Sequence, residues 1–189
     1  MISGPSGAGK GTLVREVTRR VPYVCVSVSA TTRKPRAGEI DGSDYHFLTP
    51  GSFRNKIAAG DFLEWAIVHG NYYGTLRTEV HGRLSAGKSV ILEIDVQGAS
   101  QVRDSMERDK CVFVFIKPPS MEILKARLRG RHTESAADIE KRLRIAHDEL
   151  KEENWYDITI VNADLRRAVD ELQAVIVKYR GDTVELGDT

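Results

Sequence analysis

Short apolar runs alternate with stretches whose apolar residues recur every three or four positions, and this alternation organises the whole chain. The runs at residues 23–28, 63–68, 89–95, 111–116 and 157–161 are rich in Val, Ile, Phe and Leu, so each predicts a strand. Between them, residues 13–20, 52–59, 78–86, 98–107, 121–128, 136–153 and 163–178 carry the helical period. Strands apolar on both faces cannot leave one face in water. Alternating with helices, they predict a parallel sheet covered on both sides, a doubly wound α/β core. One stretch breaks the pattern: residues 29–51 are polar and interrupted by Pro35, Gly38, Gly42 and Pro50. A long irregular segment of this kind is a place for function rather than for packing.

The length of 189 residues suits one domain with inserted lobes, and 41% hydrophobic with 29% charged residues excludes disordered and fibrous classes. Basic residues number 28 and acidic residues 27, so the surface as a whole is no nucleic-acid binder and any polyanion site must be a local basic cluster. The longest unbroken apolar run, 111–116, is far short of the ~18 residues of a membrane helix, and no membrane partner is expected. Neither a basic region nor an apolar signal core opens the chain, so a cytoplasmic protein is expected. Cys25 and Cys111 sit in apolar runs without metal-ligand spacing and read as reduced core residues; the five histidines are scattered, which argues against a protein-bound transition metal.

The first chemistry-bearing motif is Gly4-Pro5-Ser6-Gly7-Ala8-Gly9-Lys10-Gly11-Thr12, which fits GxxxxGK with its hydroxyl one place late, at Thr12. Glycines let successive backbone N–H groups turn inward around phosphate oxygens, the following helix adds its positive end, and Lys10 reaches the outer phosphates. Only Met1, Ile2 and Ser3 precede Gly4, against the ~5–6 residues of an ordinary strand, so either the true start lies upstream or the strand feeding this loop is a stub. Asp95 closes the run at 89–95, either as an acid that helps hold a phosphate-bound Mg²⁺ or as an N-cap for the next helix. Glu93, two residues earlier, is expected on the same face of that strand, where two acids are costly unless cationic or hydrogen-bond-donating groups face them.

The run from Ser27 to Phe47, with Thr31-Thr32-Arg33-Lys34-Pro35-Arg36 and Gly42-Ser43-Asp44-Tyr45-His46-Phe47, resembles the nucleoside-monophosphate site of guanylate kinases. Phe62-Leu63-Glu64-Trp65-Ala66, Gly70-Asn71-Tyr72-Tyr73-Gly74-Thr75, Leu92-Glu93-Ile94-Asp95-Val96-Gln97-Gly98 and Arg127-Leu128-Arg129-Gly130-Arg131 agree, so the likeness runs nearly end to end. It implies a P-loop parallel-sheet core (1–28, 78–122 and 148–189), an inserted GMP-binding lobe (29–77) and a small helical lid (123–147). It also implies transfer of a phosphoryl group from ATP to GMP, with dGMP a possible substitute and Mg²⁺ accompanying ATP.

The chemistry of the side chains fits that resemblance. Arg33 and Arg36 offer planar forks for one phosphate, and Tyr45 and Tyr73 offer hydroxyls. Guanine presents two adjacent donors that a buried carboxylate such as Glu64 can accept together, with the hydroxyls of Ser29 and Thr75 completing the base contacts. The resemblance places Glu93 and Asp95 at the GMP site as well, and assigns Mg²⁺ to Asp95 through water and to Thr12. It gives residues 4–12 and Asn162 to ATP, and Arg127, Arg131 and Arg142 to a lid over its phosphates. Together with Lys10 and Arg33, those three arginines are the expected catalytic groups. Blander readings stand beside these: Arg33, Arg36 and the lid arginines as solvated faces, Trp65 and Tyr73 as core aromatics, Asn162 as a cap. The chain departs from the family pattern at Gly11, which lacks the usual hydroxyl, and at His132, where glycine is common. A different class of function, a catalytically inactive guanylate-kinase-like module that binds peptides, is disfavoured by the retained Lys10, loop glycines, Arg33, Arg36 and Asp95.

Overall fold

A computed structural model describes residues 1–68, 70–105, 110–129 and 136–180. In chain order its strands are β1 (Ile2–Ser3), β2 (Val24–Val26), β3 (Ala30–Thr31), β4 (His46–Phe47), β5 (Phe62–Val68), β6 (Asn71–Leu76), β7 (Ser89–Ile91), β8 (Val114–Lys117) and β9 (Ile158–Val161). Its helices are α1 (Lys10–Arg20), α2 (Pro50–Ala58), α3 (Arg77–Ser85), α4 (Val96–Ser105), α5 (Met121–Arg129), α6 (Ala136–Lys151) and α7 (Leu165–Arg180). They group into two compact units, one formed by Met1–Pro22 with Val112–Thr189 and the other by Tyr23–Cys111.

The first unit is built on a parallel ladder in the order β1-β8-β9, with Ile2 opposite Val114 and Val114 opposite Ile158. Its strands are buried: Phe115, Ile116 and Ile160 are at most 1% exposed, as a parallel sheet under helices requires. β1 is two residues long. The apolar stripe of α1, Leu13, Val14 and Val17, is buried, and α1 packs on α7. Helices α5 and α6 pack together through Leu124, Leu128 and Ala146.

In the second unit β2 and β7 pair in parallel, Val24 to Ser89 through Val26 to Ile91. Beside this ladder the unit carries a four-stranded mixed sheet, β4-β3-β6-β5, in which β3 pairs parallel with β4 and antiparallel with β6. Phe53 of α2 stacks on Phe62 at 4.3 Å and anchors this sheet's core, where Trp65 also packs.

Several elements differ from the expected pattern. β6 and the short β3 and β4 lie in segments too polar or too short to read as strands; pairing across the sheet makes them so. The run at 89–95 keeps its regular pairing only to Ile91, because β2 offers just three residues to pair with, and Asp95 stands at the head of α4 rather than at a strand end. α2 begins at Pro50, two residues early, since the Thr49 hydroxyl accepts from Ser52 N and proline suits a first helical position. Cys25 and Cys111 form no disulfide with each other and are only half-buried, so neither is a core residue in full. Among the described residues no helix is long and apolar enough to cross a membrane.

Candidate active site

The glycine-rich loop of the first unit takes the shape its glycines permit. Gly4, Gly7 and Gly9 all have positive φ, at 136°, 93° and 92°, a region other residues rarely enter. Gly7 also has no room to grow: a Cβ there would meet Leu124 Cδ1 at 2.8 Å, so α5 presses directly on the loop. Gly9 caps α1, which therefore starts at Lys10, three residues before its apolar stripe begins. The Lys10 ammonium donates to the carbonyls of Gly4 and Pro5, which fold it back over the loop. Ala8 is fully buried, Gly11 is exposed and Thr12 is half-buried on the first turn of α1.

Two of the expected lid arginines already touch this loop. Arg127 donates to Ala8 O at 3.4 Å and to Asn162 O at 2.8 Å, and Arg142 donates to Ser6 Oγ at 3.3 Å. Asn162 is 5% exposed and its amide nitrogen donates to Ala8 O at 2.7 Å, so its side chain braces the glycine-rich loop. Arg131 and His132 lie outside the described residues.

The second unit holds a pocket of about 150 Å³. Ser29, Tyr45, Glu64, Tyr73, Glu93 and Asp95 line it, six of the side chains singled out for GMP, together with Ala66, Val68 and Ile94. The three apolar walls were missed, although two were legible: Glu64, Ala66 and Val68 alternate on β5 and so face one way. A bulge between Phe62 and Glu64 sets Glu64 directly opposite Thr75. The buried Thr75 hydroxyl donates to Glu64 Oε1 at 2.6 Å. Burial pushes the Glu64 carboxyl up to about 7; the Thr75 bond opposes this rise and the nearby Asp95 charge adds to it.

Arg33 lies over the rings of Tyr45, 5.2 Å away, and Phe47, 5.7 Å away. Its guanidinium forks onto Glu39, with both contacts at 2.9 Å, and Glu39 also accepts from Arg36 N at 2.7 Å. That pairing holds Arg33 above its ordinary range and Glu39 below its own. The Arg36 side chain is exposed. Burial raises the hydroxyl pKa of Tyr45, whose ring meets Tyr73 edge-on at 6.1 Å. Glu39, three residues after Arg36, is a site residue the sequence reading passed over; its spacing from both arginines was the available signal.

Of the two readings of Asp95, the cap is observed: its Oδ1 accepts from Gly98 N at 2.7 Å. Glu93 is exposed on the pocket rim, which removes the expected cost of burying two acids together.

The family model for guanylate kinase matches residues 1–179. The chain belongs to the guanylate kinase family. It is 49% identical over 176 residues to the guanylate kinase of Carboxydothermus hydrogenoformans, covering 93% of this chain and 85% of that protein. To the guanylate kinase of Geobacter metallireducens it is 46% identical over 190 residues, covering 100% and 92%. The crystal structure of guanylate kinase from Anaplasma phagocytophilum superposes with a TM-score of 0.76 at 32% identity, covering 96% of this chain and 85% of that one. The guanylate kinase fold is accordingly α/β, a parallel sheet with helices on both faces.

Proposed function

We propose that this chain transfers the γ-phosphoryl group of ATP to GMP, giving ADP and GDP, as a cytoplasmic step of purine nucleotide metabolism. A GMP phosphate oxygen forms the new bond to the γ-phosphorus, and the bond from that phosphorus to the β–γ bridging oxygen breaks, leaving on ADP. The second pKa of a phosphate monoester is near 6, so the attacking oxygen is already deprotonated at pH 7 and no general base is required. The protein's task is to cancel repulsion between two polyanions and to hold them in line.

The observation that carries the GMP reading is Glu64, a carboxylate in a pocket wall with Thr75 donating to it. An acceptor pair of that kind suits the N1–H and 2-amino donors of guanine, while adenine offers no such pair. Ser29 and Thr75 extend the base contacts; Arg33, Arg36, Tyr45 and Tyr73 take the phosphate, and Glu93 and Asp95 close the pocket beside them. Residues 4–12 take the ATP phosphates, with Lys10, Arg33, Arg127, Arg131 and Arg142 sharing the charge of the transferring group. Asn162 serves ATP by holding Ala8 in place. Residues 29–77 act as the acceptor lobe and 123–147 as the lid.

Mg²⁺ takes oxygen ligands and keeps several waters, so one carboxylate with substrate phosphates is sufficient to hold it. Asp95, whose cap to Gly98 uses Oδ1, and Thr12, beside the phosphate loop, are oxygen donors of the required type. When bound, the ion neutralises charge on the phosphates. Among the described residues no three His, Cys, Asp or Glu side chains cluster for a metal, and an ion held chiefly by phosphate and water needs no such cluster.

A peptide-binding role without catalysis is the weaker reading, because Lys10 is retained and already folded over the loop. A coupled assay of ADP formation with GMP, AMP, UMP and dTMP as acceptors tests the proposal. Turnover with GMP alone is the expected result; no ADP, or equal rates with AMP, overturns it.

A further inference from the structure

Helix α4 is fastened to β5 at two points on one helical face. At the first, Gly98 comes so close that a Cβ built on it would sit inside van der Waals contact of Glu64 Oε2, 3.0 Å from Glu64 Cδ and 3.3 Å from Asp95 Oδ1. Gly98 has no positive φ; it is glycine here for space, not for backbone freedom. One turn further along, the Gln101 amide pairs with the backbone of Trp65, accepting from Trp65 N at 3.1 Å and donating to Trp65 O at 2.8 Å. Gln101 thus behaves as one more residue of strand pairing, applied to the position immediately after Glu64. Asp95, whose carboxylate caps Gly98 N, fixes the start of the same helix.

The Glu64 carboxyl is therefore held on two sides, by the Thr75 hydroxyl on Oε1 and by the bare Cα of Gly98 against Oε2. A carboxylate that reads two donors at once must be held to within a few tenths of an ångström, since a group displaced from its partners gives up both hydrogen bonds. We propose that Gly98 and Gln101 are positioning residues that hold Glu64 for base recognition and so set the preference for guanine. The proposal rests on the reading of Glu64 as the carboxylate that accepts from guanine.

Gly98→Ala tests it first. The added methyl forces the carboxyl away from α4, which should raise KM for GMP about tenfold or more while kcat at saturating GMP stays within about threefold. KM for ATP should not change. Selectivity for GMP over inosine monophosphate, which lacks the 2-amino group, should fall, because a displaced carboxylate can no longer reward that group. Combining Gly98→Ala with Glu64→Asp, whose carboxyl is one methylene shorter, should cost less than the two single changes together. Gln101→Ala, at an exposed position, keeps the question open to test should Gly98→Ala fail to fold, and should raise KM for GMP by about threefold to tenfold in the same selective way. A folded variant with wild-type KM and wild-type GMP-to-inosine-monophosphate preference overturns the proposal. So does a loss of kcat and thermal stability with no change in that preference, which would mark the contact as structural only. Glu64→Gln, run in parallel, separates the two levels. If it leaves GMP selectivity untouched, the guanine assignment itself has failed; if it destroys selectivity while Gly98→Ala and Gln101→Ala do not, only this inference has.

Discussion

Proton release on GMP binding follows from the burial of Glu64. With its carboxyl pushed up to about 7, Glu64 is close to half protonated in the free protein at pH 7. Accepting N1–H and the 2-amino group requires the ionised form, so each GMP bound at pH 7 should expel about half a proton from this side chain. The GMP phosphate adds little: with a second pKa near 6 it is roughly nine-tenths dianion at pH 7 and releases only about 0.1 proton. Isothermal titration in two buffers of different ionisation enthalpy reads the sum directly, and Glu64→Gln, titrated at higher GMP concentration, reads the phosphate part alone. The same arithmetic fixes the direction with pH. Between pH 8 and pH 6 the ionised fraction of Glu64 falls from about 0.9 to about 0.1, so affinity should drop about tenfold beyond the roughly twofold that the phosphate contributes. Equal proton release by wild type and Glu64→Gln would refute the reasoning, since Glu64 would then be either ionised already or remote from the base.

The same shift makes Glu64 a stability cost. Between the ordinary carboxyl value of 4.5 and about 7 the folded protein binds more protons than the unfolded chain, so stability falls as pH rises through that window. Glu64→Gln should therefore be more stable than the parent at pH 8, by on the order of 3 kcal/mol, with the gap closing toward pH 4; a melting-temperature difference that does not vary with pH would refute this. Lys10→Ala should lower kcat by about a hundredfold or more while leaving the Kd for GMP within about twofold, as expected of a group acting on charge that shifts during transfer. Asn162→Ala removes the buried bond to Ala8 O and leaves that carbonyl only the longer contact from Arg127; at about 0.5–1.5 kcal/mol for one lost hydrogen bond it should lower Tm by a few degrees and weaken ATP binding. An unchanged Tm would mean that Arg127 alone holds the loop.

The linear pattern was enough to determine the α/β class, because strands buried on both faces and amphipathic helices leave periodic signatures that local composition alone can carry. It marked the glycine-rich loop too: Gly4, Gly7 and Gly9 all take positive φ, and a backbone that must do so announces itself in the sequence, although the packing of Leu124 against Gly7 is visible only in the fold. That Arg33 lies over Tyr45, twelve residues on, came from the family resemblance and not from local pattern. What the fold alone decided are contacts between residues far apart in sequence. β6 is a strand because β5 and β3 lie on either side of it, and Glu64 meets Thr75 because a bulge shifts the register. Asn162 reaches Ala8, 154 residues away, and nothing in its local sequence separates that brace from a cap or a ligand. Gly98 looks like any first-turn glycine until the helix is docked on β5, when the missing Cβ becomes the space that Glu64 occupies. Backbone conformation is a property of neighbours in the chain, whereas side-chain position in a site is a property of packing, and packing exists only once the chain has folded.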